Sequence, residues 1–235
     1  MIEPLNIPYE DFWCLKKQKG FSKYHTRAYS QHYQDGIIER IFEVIGTTNK
    51  VCVEFGAKNG LDMSNTANLR IAHGWKTILF EPFCSPNSEI GLYKETVTPE
   101  NVNLLFDKYG VSQNLGFLSI DVDGHDYWIW KALTYQPRVV QIESNVRFKP
   151  TESRVYRYKE GEEYPQGTDG GASVLALKKL GESKGYSLVY RQRHDLFFVK
   201  TELLNKKDVN IPLEKIYSDA YESWYGPEES RFIDV

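Results

Sequence analysis

Apolar residues recur along this chain in short runs that close on glycine or polar positions, and the order of the runs predicts alternating helices and strands. Over residues 34–45, Ile37, Ile38, Ile41, Phe42 and Ile45 recur at helical spacing. Residues 51–55 form an apolar run with one acid, Glu54, and read as a buried strand opening into a turn punctuated by Gly56 and Gly60. Residues 64–73 read as a helix stopped by Gly74, and residues 77–80 as a second strand, which completes one βαβ unit. A weak strand around Val97 precedes a helix within residues 96–110. Its opening, Thr98-Pro99-Glu100, places proline in the first turn and an acid at the positive end of the dipole. Residues 117–120 read as a third clear strand, residues 127–133 as a helix and residues 139–142 as a fourth strand. Val174, Leu177 and Leu180 mark a helix that Gly185 ends, and residues 187–190 and 196–199 form a closing antiparallel pair. Strands alternating with helices predict an α/β, doubly wound sheet.

Two stretches fall outside this alternation. Residues 146–171 lose apolar periodicity and read as a substrate lid, or as a solvated surface loop. Arg147, Lys149, Arg154, Arg157 and Lys159 are interleaved there with Phe148, Tyr156 and Tyr158, a mixture able to hold phosphate and stack on a ring. After Thr201 a polar tail with Tyr217, Tyr221, Trp224 and Tyr225 reads as an appendage that packs back. The expected organisation is an N-terminal extension or cap over residues 1–30, a main domain over 31–201 that carries the 146–171 insertion, and a C-terminal appendage over 202–235.

Composition narrows the class. At 235 residues with 41% hydrophobic and 14% aromatic content, one large domain with a sizeable core is expected. A net charge of −3 argues against non-specific nucleic-acid binding. Cys14, Cys52 and Cys84 are widely spaced without Cys-x-x-Cys, which argues against a disulfide framework or zinc knuckle and for a reduced, cytoplasmic setting. The first residues include Glu3 and Asp11 rather than a basic start, and no apolar run approaches the ~18 residues of a membrane span. A soluble protein with no membrane partner is expected.

In a doubly wound sheet, ligands bind beyond the carboxyl ends of the strands, so the chemistry is sought there. Glu54 in the first strand is placed to face a cofactor amino group, and Glu81 after the second to accept hydrogen bonds from ribose hydroxyls. A nicotinamide site would want Gly-x-Gly-x-x-Gly. This turn reads Glu-x-Gly-x-x-x-Gly and sets an acid where a pyrophosphate would be repelled, which favours S-adenosylmethionine over NAD. The third strand runs into Asp121-Val122-Asp123-Gly124-His125-Asp126 and the fourth into Glu143-Ser144-Asn145. Group transfer from a sulfonium cofactor needs alignment of the acceptor and, where the acceptor is weakly acidic, removal of its proton by a base or with help from a metal. His125 is the candidate base, with Asp121 and Asp123 beside it and His194 as second choice; alternatively His125 caps the next helix. Asp121, Glu143 and Asn145 form an all-oxygen set suited to Mg²⁺ or Mn²⁺, although the same acids could hold loop amides or orient His125. His73 near a helix end reads as a dipole contact. His25, Arg27 and residues 31–35 read either as a cap over the cofactor or as a lead-in to the first helix.

Taken together these motifs resemble the class I S-adenosylmethionine-dependent methyltransferases, and within them the FkbM-like family. The likeness lies in residues 53–57 with Gly60, in Phe80-Glu81-Pro82, in Asn101-Val102-Asn103 and in residues 119–124. It continues in Gly171-Ala172-Ser173, in Lys184-Gly185-Tyr186 and in Phe197-Phe198-Val199, covering about residues 30–200. The resemblance implies a three-layer Rossmann-like fold with a mostly parallel seven-stranded sheet whose last strand is antiparallel. It implies S-adenosyl-L-methionine as cofactor, contacted by Glu54, Gly56, Ala57, Gly60, Glu81, Pro82, Asn101, Asn103 and Asp121. The implied acceptor is a hydroxyl of a sugar or nucleotide-linked sugar. The chain departs from the family in its weak third strand and in residues 191–195, which replace the usual Asn-x-x-Gly-x-Asn. Two rivals stay open: an NAD-dependent oxidoreductase, and a non-catalytic module of the same fold that binds a partner or RNA through residues 147–159.

Overall fold

A computed structural model of the chain describes residues 27–161, 170–206, 209, 212–216 and 231–235. The helices are α1 (Gln34–Ile45), α2 (Ala67–His73), α3 (Val102–Lys108), α4 (Asp126–Ala132), α5 (Val174–Ser183) and α6 (Leu213–Ile216). The strands are β1 (Val51–Phe55), β2 (Lys76–Phe80), β3 (Leu92–Tyr93), β4 (Phe117–Ile120), β5 (Val139–Glu143), β6 (Arg154–Tyr156), β7 (Tyr186–Gln192), β8 (Asp195–Lys200) and β9 (Phe232–Asp234).

Seven strands form one sheet in the order β3-β2-β1-β4-β5-β8-β7. β1 pairs in parallel with β2 and β4, and β4 with β5, whereas β8 runs antiparallel between β5 and β7. This is a Rossmann-like, doubly wound α/β fold with the last strand of the sheet reversed, as expected from the sequence. The central strands are apolar on both faces because helices cover both. On one face Cys52, Phe117, Val139 and Phe197 pack against Ile37, Ile38, Ile41 and Phe42 of α1. On the other, Val53, Phe55, Leu118, Ile120, Val140 and Phe198 pack with Phe106 of α3, Trp130 of α4 and Leu177 of α5. The large side chains Trp130, Phe55, Phe106, Phe117 and Phe198 are almost wholly withdrawn from water, which makes these two packed faces the main source of stability.

The structure departs from the expected elements in three places. The third strand of the sheet is Leu92–Tyr93, not the region of Val97, which is buried in the core but outside any strand. A two-residue edge strand has no alternation to read. Helix α2 begins at Ala67 rather than at 64, because Ser64, Asn65 and Thr66 are held by Glu54. The third departure lies inside 146–171, where Phe148 and Val155 are buried and β6 pairs antiparallel with β9. The partner strand is far away in sequence, so no local pattern announces the pairing. Tyr217, Tyr221, Trp224 and Tyr225 lie outside the described residues. No helix among the described residues is long and apolar enough to cross a membrane.

Candidate active site

The carboxyl ends of β1, β2, β4, β5 and the start of β8 meet along one edge of the sheet. Gly56 has φ +72°, and a Cβ there would lie 1.9 Å from the Asp121 carbonyl oxygen. Only glycine lets the turn after β1 touch the end of β4. The Gly56 N–H donates to the Phe80 carbonyl at 3.0 Å, which ties the same turn to β2. Glu81, just past β2, accepts from the Lys58 N–H at 3.0 Å with one oxygen and from the Phe83 N–H at 3.1 Å with the other. Glu81 therefore stands against the glycine turn, with Pro82 and an exposed Phe83 beside it. Ala57 is buried against Leu79 and Leu92, and Gly60 closes the turn by donating to the Ala57 carbonyl at 2.7 Å.

Glu54 has partners other than the cofactor amine expected for it. One carboxylate oxygen accepts from the Asn65 N–H at 2.7 Å, and the other from Ser64 Oγ at 2.7 Å and Thr66 Oγ1 at 2.6 Å. Burial pushes its pKa up against these three donors. Asn101 and Asn103 are likewise engaged within the chain. The Asn101 side chain accepts from the Thr98 N–H and donates to the Thr96 carbonyl, closing the turn before α3. Asn103 donates to the Ala132 carbonyl and accepts from Thr134, at the far end of α4 from Asp126.

The acids at the ends of β4 and β5 converge. One carboxylate oxygen from each of Asp121, Asp123 and Glu143 lies within 4.8 Å of the others. Burial, and then the neighbouring carboxylates of Asp126, Asp195 and Asp123, raise the pKa of Asp121. Burial and then Asp121, Asp126 and Asp195 raise that of Glu143. Asp126 opens α4 and accepts from the Val122 and Gly124 N–H groups, each at 2.9 Å; these bonds shape the turn in which Asp123 adopts φ +56°. Burial nonetheless lifts the Asp126 pKa to about 6. Asn145, expected in the oxygen set, accepts from the Arg147 N–H and donates to the Gly170 carbonyl. Asp123, expected beside the base, lies with Asp121 and Glu143.

His194 borders this cluster, whereas His125, next to Asp126 in the chain, lies against Tyr156 and Tyr158. His125 caps α4 through its backbone carbonyl, which accepts from the Trp128 and Ile129 N–H groups. The residue is only 3% exposed; Tyr158 stands edge-on to its ring at 4.9 Å between centroids and Tyr156 lies 6.2 Å away. His194 lies in the turn between β7 and β8, with Nε2 4.0 Å from Glu143 and 3.7 Å from Asp195. His73 is remote from these groups and contacts Glu39 at 2.7 Å. His25 falls outside the described residues.

Sequence reasoning missed a supporting network behind the acids. Asp195 is buried opposite Glu143 in the β5–β8 register, held by Gln34 Nε2 at 2.6 Å and Gln141 Nε2 at 2.9 Å. The lead-in to α1 packs here too. Asp35 accepts from the Ala28, Tyr29 and Ser30 N–H groups with one oxygen, and the His32 ring lies 5.5 Å from that of His194. The polar segment at 31–35 was the available signal, but its partner becomes visible only once β8 is placed beside β5.

Sheet order, the reversed β8 and the crevice at the strand ends together define a Rossmann-like α/β architecture with a ligand-sized opening beyond its strand ends. No family model matches the chain, and no curated protein matches it. Among solved structures it is similar to the methyltransferase MycE of the mycinamycin biosynthetic pathway, determined in complex with Mg, SAH and mycinamycin VI. The likeness has 16% sequence identity and a TM-score of 0.46, over 76% of this chain and 52% of that chain. The chain thus spans about half the length of that protein.

Proposed function

We propose that the protein is an S-adenosylmethionine-dependent O-methyltransferase of the FkbM-like kind, acting on a hydroxyl of a sugar or nucleotide-linked sugar. The observation that carries this is the pairing, along one edge of the sheet, of an acid after β2 that holds the glycine turn, Glu81, with a carboxylate cluster, Asp121, Asp123 and Glu143. Glu81 and the 56–60 turn would hold the ribose and nucleoside end of the cofactor. Asp121 and Glu143 lie close together, their pKa values raised by burial and then by neighbouring carboxylates, so a cation placed between them would favour their ionised forms. As hard oxygen donors the clustered acids fit Mg²⁺ or Mn²⁺ better than zinc. Such an ion, when bound by Asp121, Asp123 and Glu143, supplies Lewis acidity that lowers the pKa of an acceptor hydroxyl. His125 or His194 then takes the hydroxyl proton as the oxygen attacks, with Asp126 and Asp195 fixing the loops that carry them. The aromatic ring of Tyr158 above His125 offers a sugar ring an apolar face to lie against.

The test is a thermal-shift series with S-adenosylhomocysteine, NAD and nucleotide sugars, each with and without Mn²⁺, because a ligand stabilises the folded state by mass action. S-adenosylhomocysteine is expected to raise the melting temperature, and NAD to leave it unchanged. Stabilisation by NAD alone would replace the proposal with an oxidoreductase.

A further inference from the structure

Strand β9 belongs to no layer of the main sheet. It lies along β6, with Arg154 opposite Asp234, Val155 opposite Ile233 and Tyr156 opposite Phe232, and the Arg157 N–H donates to the Arg231 carbonyl at 2.8 Å. The other edge of β6 is held by the segment before α5, where the Tyr156 N–H donates to Gly171 and the Ser173 N–H to Arg154, each at 2.8 Å. Phe232 is buried, its ring edge-on to Phe148 at 4.9 Å and to Tyr156 at 5.6 Å. Tyr156 connects this packing to the site in two ways. Its ring lies 6.2 Å from that of His125, and its carbonyl accepts the Trp128 indole N–H at 2.8 Å. Two residues on, Tyr158 stands over His125, and its hydroxyl donates to Glu100 at 2.5 Å.

We propose that Phe232 is a positioning residue: by bracing β6, strand β9 keeps the roof of Tyr156 and Tyr158 over His125 and so sets access to that imidazole. A three-residue strand has little stability of its own, and its place depends on what packs against it. Here the packing comes from Phe232, far away in sequence, whose ring lies against both Phe148 and Tyr156. Without the Phe232 ring, Tyr156 loses its edge-on partner and β6 keeps one firmly held edge. The roof then opens more often while the seven-stranded sheet, which shares no pairing with β9, stays intact.

Carbethoxylation of the full chain by diethyl pyrocarbonate, followed histidine by histidine by mass spectrometry, tests this directly. It reads the roof without turnover, so its outcome is independent of methyl transfer. In the wild type His125 is expected to react slowly. Phe232→Ala is expected to speed labelling of His125 by about tenfold, as a local opening would, and to leave His73, paired with Glu39 away from the roof, at its wild-type rate. Phe232→Leu, which keeps most of the bulk, is expected to restore most of the protection. Unchanged labelling of His125 in Phe232→Ala overturns the proposal. So does a rise shared by His73, which is the mark of global unfolding. Should Phe232→Ala fail to fold, Phe232→Val removes the ring that meets Tyr156 and keeps a strand-forming side chain; His125 labelling at the wild-type rate in that variant also overturns it.

Discussion

Carboxylates at the two halves of the crevice meet opposite fates. On the glycine-turn side Glu54 and Glu81 are each met by donors from their own chain, three for Glu54 and two for Glu81. On the β4–β5 side Asp121, Asp123 and Glu143 are brought within 4.8 Å of each other, with Asp126 and Asp195 behind them. Donors of the chain offset part of the cost of burying a charge, although burial still holds the Glu54 pKa above its ordinary value. Asp121 and Glu143 have burial and then neighbouring carboxylates acting together to raise theirs. The contrast sets acids whose oxygens meet donors of the chain apart from acids that meet one another.

The sharpest way to break the contrast is to neutralise the acid side. If the proposed metal role holds, Asp121→Asn or Glu143→Gln is expected to abolish Mn²⁺ binding in calorimetry and to reduce methyl transfer by at least about a hundredfold, since each would remove a ligand rather than an outer partner. EDTA is expected to do the same reversibly. Full turnover in chelator would return the cluster to the status of an ordinary acidic rim.

Next in size is Glu81→Ala. Loss of a charge-assisted hydrogen bond costs about 1.5–3 kcal/mol, so affinity for S-adenosylhomocysteine is expected to fall by about ten- to a hundredfold, with a smaller loss of stability than at Glu54 because the Lys58 and Phe83 N–H groups it leaves belong to exposed residues that water can reach. Glu54→Ala is expected to show the reverse balance. It strands the Asn65 N–H and the Ser64 and Thr66 hydroxyls, and urea unfolding is expected to show a loss of about 1–3 kcal/mol. If Glu54→Ala instead keeps full stability and loses the ligand, the division between the two glutamates is wrong.

That division marks the limit of what the sequence discloses. The sheet was legible because both faces of β1, β4 and β5 are covered, so buried strands read as unbroken apolar runs ended by glycine or acid. The strand-end acids were legible for the same reason, as a charge at the close of such a run is costly unless a ligand or a polar partner meets it. Side-chain direction was not. Glu54 could face either the crevice or the turn before α2, and only the fold shows Ser64, Asn65 and Thr66 reaching it. Asp123 was within view as a catalytic candidate but not as the third member of the oxygen set, since its left-handed backbone depends on Asp126. The β6–β9 pair was hidden altogether, because a three-residue strand with a distant partner leaves no periodicity.

The smallest expected effect concerns that Asp126 support, and it follows from sign. Burial lifts its pKa from the ordinary 3.8 to about 6, so folding favours the protonated form. Its contribution to stability is complete below the unfolded value near 3.8, and is lost as pH rises through 6. In chelator, the melting temperature of the wild type is therefore expected to fall between pH 4 and pH 7, in part through this group. Asp126→Asn keeps one acceptor for the turn but cannot ionise. It is expected to melt lower than the wild type at pH 4, where the second acceptor is missed, and to show a flatter slope toward pH 7. A slope equal to that of the wild type would mean that Asp126 is ionised throughout, with the Val122 and Gly124 N–H groups outweighing its burial.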